Sequence, residues 1–241
     1  EKSIDSLLAK SYSDTTPSIA VAVISNAGMI YKKAFGMASL ELNVPATPQS
    51  VYRIGSLSKQ FTAAAILMLI QDGRIKFGDL MVDYFPELPA SVYGEVAIEQ
   101  MVYHTSGIRD SENMYPLMGI AFSQWYTHEM LLEMLKGQKG LSFPPGSQYE
   151  YSNSAYTLLA LIVERVTGHS FQEYMDKKIF QPLGMTNNQL VGHDAVYSSV
   201  EDLFLWQQAL QANKIGKYTL TKMTVPGEFN DGSRGNYGYG L

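Results

Sequence analysis

The chain contains no cysteine, which removes disulfides, thiolate metal sites and a cysteine nucleophile from consideration together. A chain without thiols suits any compartment, an oxidising periplasm included. Charge is sparse. Asp, Glu, Lys and Arg make up 17% of the residues, the formal net charge is -5, and long runs of either sign are missing, so neither nucleic acid nor an anionic membrane is indicated as a partner. No apolar run approaches the roughly 18 residues that a transmembrane segment needs. Histidine is scarce too: His104, His128, His169 and His193 show no metal-ligand spacing, and His128-Glu129 lacks the second histidine of a zinc-protease helix. No metal and no cofactor are therefore expected. The glycine-rich run Gly235 to Gly240 opens no helix, which argues against a dinucleotide cradle. A Gly-x-Ser-x-Gly elbow, internal repeats and low-complexity segments are all absent. Glu1 follows neither an initiator methionine nor a signal-like apolar segment, so it is expected to be a processed or trimmed end.

What is present is ample apolar material: 46% hydrophobic residues in a chain of 241, enough to bury a substantial core. Ile4, Leu7 and Leu8 share one face of a short opening helix. Ser18–Ile24 and Met29–Phe35 are β-rich runs around Asn26-Ala27-Gly28, the pattern of an antiparallel hairpin. Pro45 to Pro48 interrupts this pattern. From Ser56 the period becomes helical, and Phe61 to Ile70 is apolar nearly all round, as in a buried central helix, with Asp72-Gly73 as its stop. Between Leu80 and Leu183 strand signals are scarce. Short helices are expected at Ile98–Tyr103 and Thr127–Leu135, and a strongly apolar one at Ser154–Val166, closed by Thr167-Gly168. Val200 to Ala212 is amphipathic. An isolated hairpin is marginally stable at best, so further strands are expected to complete its sheet, and the expectation places them after Leu241.

The chemistry concentrates at helix mouths. In Tyr52-Arg53-Ile54-Gly55-Ser56-Leu57-Ser58-Lys59 a hydroxyl and an amine three residues apart share a helical face, with Cβ atoms about 5–6 Å apart. Desolvation and a helix N-terminus both disfavour an ammonium, which is what a proton-accepting lysine beside a serine requires. Taken alone, Ser-x-x-Lys is expected roughly once by chance in a chain of this size, and its plain reading is a capping serine beside a snorkelling lysine. Tyr151-Ser152-Asn153 stands before the Ser154–Val166 helix. A phenol near a lysine can carry a proton, and an amide can hold a carbonyl or orient the lysine; the plain alternative is an aromatic anchor and a helix cap. His104-Thr105-Ser106-Gly107-Ile108 reads as a structural loop whose polar side chains satisfy backbone groups.

Ser56-Leu57-Ser58-Lys59, His104-Thr105-Ser106-Gly107, Pro145-Gly146 leading to Tyr151-Ser152-Asn153, and Pro182-Leu183-Gly184-Met185 occur in one order. Together they resemble the serine β-lactamase and penicillin-binding-protein superfamily. The tyrosine of Tyr-x-Asn points to its class C-like branch of D-alanyl-D-alanine carboxypeptidases, class C β-lactamases, D-aminopeptidases and esterases rather than to the class A Ser-Asp-Asn pattern. The resemblance extends through Tyr197-Ser198-Ser199 and the helix carrying Trp206. It implies an α+β fold in which an antiparallel sheet flanked by helices, from residues 1–55 and 191–241, accompanies an inserted all-helical domain, residues 56–190. It also implies that Ser56 is the acylated nucleophile, Lys59 and Tyr151 its proton-transfer partners, Asn153 a substrate contact, and the Ser56 N–H half of an oxyanion hole. Two departures stand out. The family's late Lys-Thr-Gly or His-x-Gly element is absent, and the interval from Met185 to Tyr197 is short; the expectation is that the polypeptide carries further residues at that interval and after Leu241. The implied activity is acyl transfer from a β-lactam, D-amino-acid peptide or ester carbonyl, with small-molecule or peptide substrates and a periplasmic, cell-envelope or secreted location. The reading from a different class is a non-catalytic relative that binds peptidoglycan-type ligands or a partner protein. Choice among substrates lies in pocket loops, and oligomeric state has no signature in these motifs.

Overall fold

The computed structural model describes residues 2–25, 28–121, 127–191, 195–216 and 219–241. Three sequence expectations fall wholly or partly elsewhere: Asn26 and Ala27 of the hairpin turn, His193, and the centre of the Met185–Tyr197 interval lie outside the described residues.

Helix α1 (Lys2–Leu8) precedes strands β1 (Ile19–Ser25) and β2 (Gly28–Phe35), which pair antiparallel. The pairing steps from Val23↔Tyr31 to Ile24↔Met29, so Ile30 is an extra residue on β2, a bulge. Asp5 ties α1 to the hairpin, accepting from the Tyr31 hydroxyl at 2.6 Å and pairing with Lys33 at 3.0 Å. Strands β3 (Met37–Ser39) and β4 (Val44–Pro45) form a second, small antiparallel pair.

Strand β5 (Tyr52–Arg53) leads through a 3-10 turn, Gly55–Leu57, into α2 (Ser58–Gln71). Then come α3 (Met81–Tyr84), α4 (Ala90–Tyr93), α5 (Ile98–Val102), α6 (Ser111–Leu117), α7 (His128–Lys136) and α8 (Asn153–Thr167). Helix α9 (Phe171–Met175) runs through a π turn into α10 (Gln181–Leu183). Strands β6 (Gln189–Val191) and β7 (Ala195–Ser198) precede α11 (Val200–Gln211) and α12 (Thr219–Met223). A three-stranded antiparallel sheet has the order β5-β7-β6, with Tyr52↔Ser198 and Leu190↔Val196 in register. The α+β class is as expected, and among the described residues the strands are confined to 19–53 and 189–198.

The core lies between α2 and α8, which pack together. Phe61, Ala63, Ala64, Ala65, Ile66 and Leu69 are each at most 1% exposed. The three alanines present no bulk, which lets neighbouring helices come close to the α2 backbone. Phe61 sits between Phe180 and Trp206, at ring-centroid distances of 5.6 and 4.4 Å. Helix α11 lies against β1 and is joined to β2 by the Lys32–Glu201 ion pair.

Candidate active site

The turn that carries Ser56 is held from two sides. Gly55 has a left-handed backbone (φ +55°), a conformation glycine adopts without a Cβ penalty, and it swings the chain from β5 into the turn that presents Ser56. The Ile54 N–H donates to the Val196 carbonyl at 3.1 Å, and the buried Ser58 hydroxyl accepts from the Val196 N–H at 3.0 Å. Strand β7 thus clamps the residues on either side of Ser56. Ser56 itself is exposed, whereas Lys59, one turn on, is 8% exposed with its amine directed back towards the turn.

The second wall is the start of α8. Ser152 is its N-cap, its hydroxyl accepting from the Ala155 N–H at 3.1 Å. Asn153 is the first helical residue, and its N–H donates to the buried carboxylate of Asp110, which also caps α6 by accepting from the Glu112 N–H at 2.9 Å. The N-termini of α6 and α8 are joined again where the Ser154 hydroxyl accepts from the Ser111 N–H at 2.8 Å.

All four predicted site residues converge. The Tyr151 hydroxyl donates to Ser56 Oγ at 2.6 Å, while Lys59 Nζ reaches the same oxygen at 3.5 Å. Lys59 Nζ donates to Asn153 Oδ1 at 2.8 Å and lies 4.7 Å from the centroid of the Tyr151 ring, so it is held by an amide on one side and an aromatic face on the other. In these contacts Asn153 orients the lysine, one of the two uses its amide allows. A serine with a phenol in hydrogen-bond contact and an amine just beyond is an arrangement in which the hydroxyl can hand its proton to a neighbour.

The His104 loop completes the site. His104 is fully buried in a left-handed conformation (φ +59°), and Gly107 in the same loop is also left-handed (φ +70°). Its Nδ1 accepts from the Ser152 N–H at 3.0 Å, and its ring lies 4.4 Å from that of Tyr151. Burial, with a smaller contribution from the Lys59 charge, pushes the imidazole down to about 3, so it is neutral. Sequence reasoning quoted this histidine and Ser58 without assigning either to the site, and it passed over Asp110. Asp110 lies 43 residues from Asn153, and no local pattern announces the contact.

Comparison with known proteins bears on this geometry. The beta-lactamase family model matches residues 4–241, nearly the whole chain. The chain belongs to the beta-lactamase family. A D-aminopeptidase of Gluconobacter oxydans is 26% identical over 257 residues, covering 93% of this chain and 48% of that protein. Penicillin-binding protein 4* of Bacillus subtilis is 32% identical over 169 residues, covering 67% of this chain and 35% of that protein. The chain therefore spans about half the length, or less, of these curated relatives. Among solved structures, the octameric penicillin-binding protein homologue from Pyrococcus abyssi superposes with a TM-score of 0.82 at 26% identity, covering the whole of this chain and 63% of that one. A penicillin-binding protein from Bacillus halodurans, 21% identical with a TM-score of 0.79, shares the fold over 99% of this chain and 81% of its own. These matches place the chain in the serine β-lactamase and penicillin-binding-protein superfamily, as the motifs implied.

Proposed function

We propose that this beta-lactamase-family chain is a serine hydrolase that forms an acyl-enzyme at Ser56 with the carbonyl of a β-lactam, a D-amino-acid peptide or an ester. The observation that carries the reading is the 2.6 Å contact between Tyr151 Oη and Ser56 Oγ, with Lys59 Nζ 3.5 Å from the same oxygen. In acylation Ser56 Oγ bonds to the carbonyl carbon and its proton passes to the Tyr151–Lys59 pair. The pair then returns a proton to the departing nitrogen or oxygen as the carbonyl carbon's bond to it breaks. Water repeats the exchange, releasing the acid and restoring the serine. Tyr151 is the immediate proton partner because it is in hydrogen-bond contact. Lys59, anchored by Asn153, supplies positive charge beside the oxygen as negative charge develops there. The Ser56 N–H serves as half of the oxyanion hole. The relatives' D-aminopeptidase and penicillin-binding names support an amide of a D-amino acid as the acyl donor, and such a substrate suits a bacterial protein of the periplasm, the cell envelope or the exterior.

The test is intact-protein mass spectrometry after exposure to a penicillin, a fluorophosphonate and a simple ester. The expected result is a mass adduct on the native protein, with the fluorophosphonate adduct the most persistent, that disappears entirely in Ser56→Ala. If no reagent leaves an adduct that depends on Ser56, the hydrolase reading fails. Ligand binding without any turnover would favour a non-catalytic relative instead.

A further inference from the structure

His104 carries three features that folding alone does not call for. It is a non-glycine residue in a left-handed conformation, it is completely buried, and its Nε2 has no hydrogen-bond partner among the described residues. Because Nδ1 faces the Ser152 N–H at 3.0 Å it must be the unprotonated nitrogen, so the hydrogen sits on Nε2, and a buried donor is left unpaired. An asparagine would tolerate the left-handed backbone as well and would offer a carbonyl acceptor to Ser152 from a shorter, fully satisfiable side chain. What asparagine cannot offer is the ring. The imidazole lies against the Tyr151 ring at a centroid distance of 4.4 Å and an interplanar angle of 32°, and against Tyr156 at 4.9 Å and 36°. The loop's backbone acts in the same direction, since the His104 carbonyl accepts from the Glu150 N–H at 2.9 Å, one residue before Tyr151.

From this geometry we propose that His104 is a positioning residue for Tyr151: its Nδ1 fixes the peptide that follows the tyrosine, its carbonyl fixes the residue before it, and its ring backs the phenol so that Oη stays on Ser56. The inference rests on the proposed hydrolase reading for its catalytic consequence, but the placement of the tyrosine ring can be tested without it. A neutral imidazole suits this role, because an imidazolium would have no acceptor for Ser152 and would set a second positive charge near Lys59.

Four proteins decide the matter: native, His104→Asn, Tyr151→Phe and the double variant, compared in the rate of Ser56 labelling by a fluorophosphonate and in thermal midpoint. His104→Asn keeps the backbone conformation and the acceptor, so it is expected to fold with a midpoint close to native yet label about 10- to 100-fold more slowly. The double variant is expected to be no slower than Tyr151→Phe alone, because a phenol that has been removed cannot be misplaced. Labelling of His104→Asn at the native rate, or losses that multiply in the double variant, would overturn the proposal. If the native protein does not label at all, the hydrolase reading has failed independently. The placement is then judged by nuclear Overhauser contacts between the Tyr151 ring protons, assigned by their loss in Tyr151→Phe, and Ser56: weakened contacts in His104→Asn uphold it, and unchanged contacts refute it. Should His104→Asn fail to fold, His104→Gln, which keeps a longer acceptor, takes its place in the same comparison.

Discussion

Helix α2 and the β1–β2 hairpin are both rich in alanine, isoleucine and methionine, yet ten of the fourteen residues of α2 are buried while no residue of either hairpin strand is. The difference lies in how many faces each element has covered. Helix α2 is surrounded by α8, α12, Phe180 and Trp206, whereas the hairpin is packed by α11 along β1 and leaves Ile30 on β2 55% exposed. The candidate site sides with the helices. Ser56 and Lys59 stand at the entrance to α2, Tyr151 and Asn153 at the entrance to α8, so the distances among them are set where the packing is densest. Stability and site geometry should therefore respond strongly to changes in the helical core and weakly to changes in the hairpin.

The largest effect is expected at Phe61, two residues beyond Lys59 and 1% exposed. Phe61→Ala removes a ring that touches Phe180 and Trp206 and leaves a cavity, at a cost of about 3–5 kcal/mol. In a domain of this size that is a fall on the order of 10 °C in thermal midpoint, read by calorimetry or circular dichroism. A fall of only a degree or two would mean that the core around α2 collapses to fill the space, and the contrast with the hairpin would lose its basis.

A smaller, pH-dependent effect belongs to His104. Its imidazole is lowered from 6.5 to about 3, mainly by burial and then by the Lys59 charge. Below pH 6.5 the unfolded chain therefore binds a proton that the folded protein refuses. The stabilising contribution is complete above pH 6.5 and is lost as pH falls towards 3. Between pH 7 and pH 4 the loss is on the order of 3 kcal/mol by linkage. Denaturant titrations of His104→Asn, which has no group titrating there, should show a correspondingly flatter pH dependence than the native protein. Parallel curves for the two would place the acid sensitivity in other groups.

These two positions also show which parts of the molecule are legible in a sequence. Ser56, Lys59, Tyr151 and Asn153 stood out because each pair is local and sits beside a long apolar helix, while the roles expected of them came from the resemblance carried by the joint order of the motifs. The hairpin was readable from its two β-rich runs. Strands β5, β6 and β7 were not: at two to four residues they are too short to show alternation, and the β5–β7 pairing joins distant positions, Tyr52 to Ser198 and Arg53 to Tyr197. Helix α6 is not among the expected helices; it is seven residues long and carries Pro116 inside it, which weakens the helical signal of the segment. His104 was visible in its motif and was read as a loop residue satisfying backbone groups. That fits its bond to Ser152, while the ring contact with Tyr151 depends on a chain reversal that spacing does not reveal.

The smallest effect is expected at Ile30, where the comparison can be tested from its weaker side. Ile30 is the bulged residue of β2: Met29 pairs with Ile24 and Tyr31 with Val23, and Ile30 has no partner across the hairpin. With its side chain 55% exposed, it contributes little apolar burial, and surface substitutions of this kind change stability by about 0.5 kcal/mol or less. Ile30→Thr keeps the β-branch that suits a strand and removes part of the exposed apolar surface. Its thermal midpoint should therefore stay within about 2 °C of native, with Ser56 labelling unchanged because no site residue lies on the hairpin. A fall as large as that of Phe61→Ala would show that Ile30 is covered in solution. Repeating the measurement across a hundredfold range of protein concentration would then separate a cover formed by a second copy, which dilution weakens, from one formed within a single polypeptide, which dilution leaves unchanged.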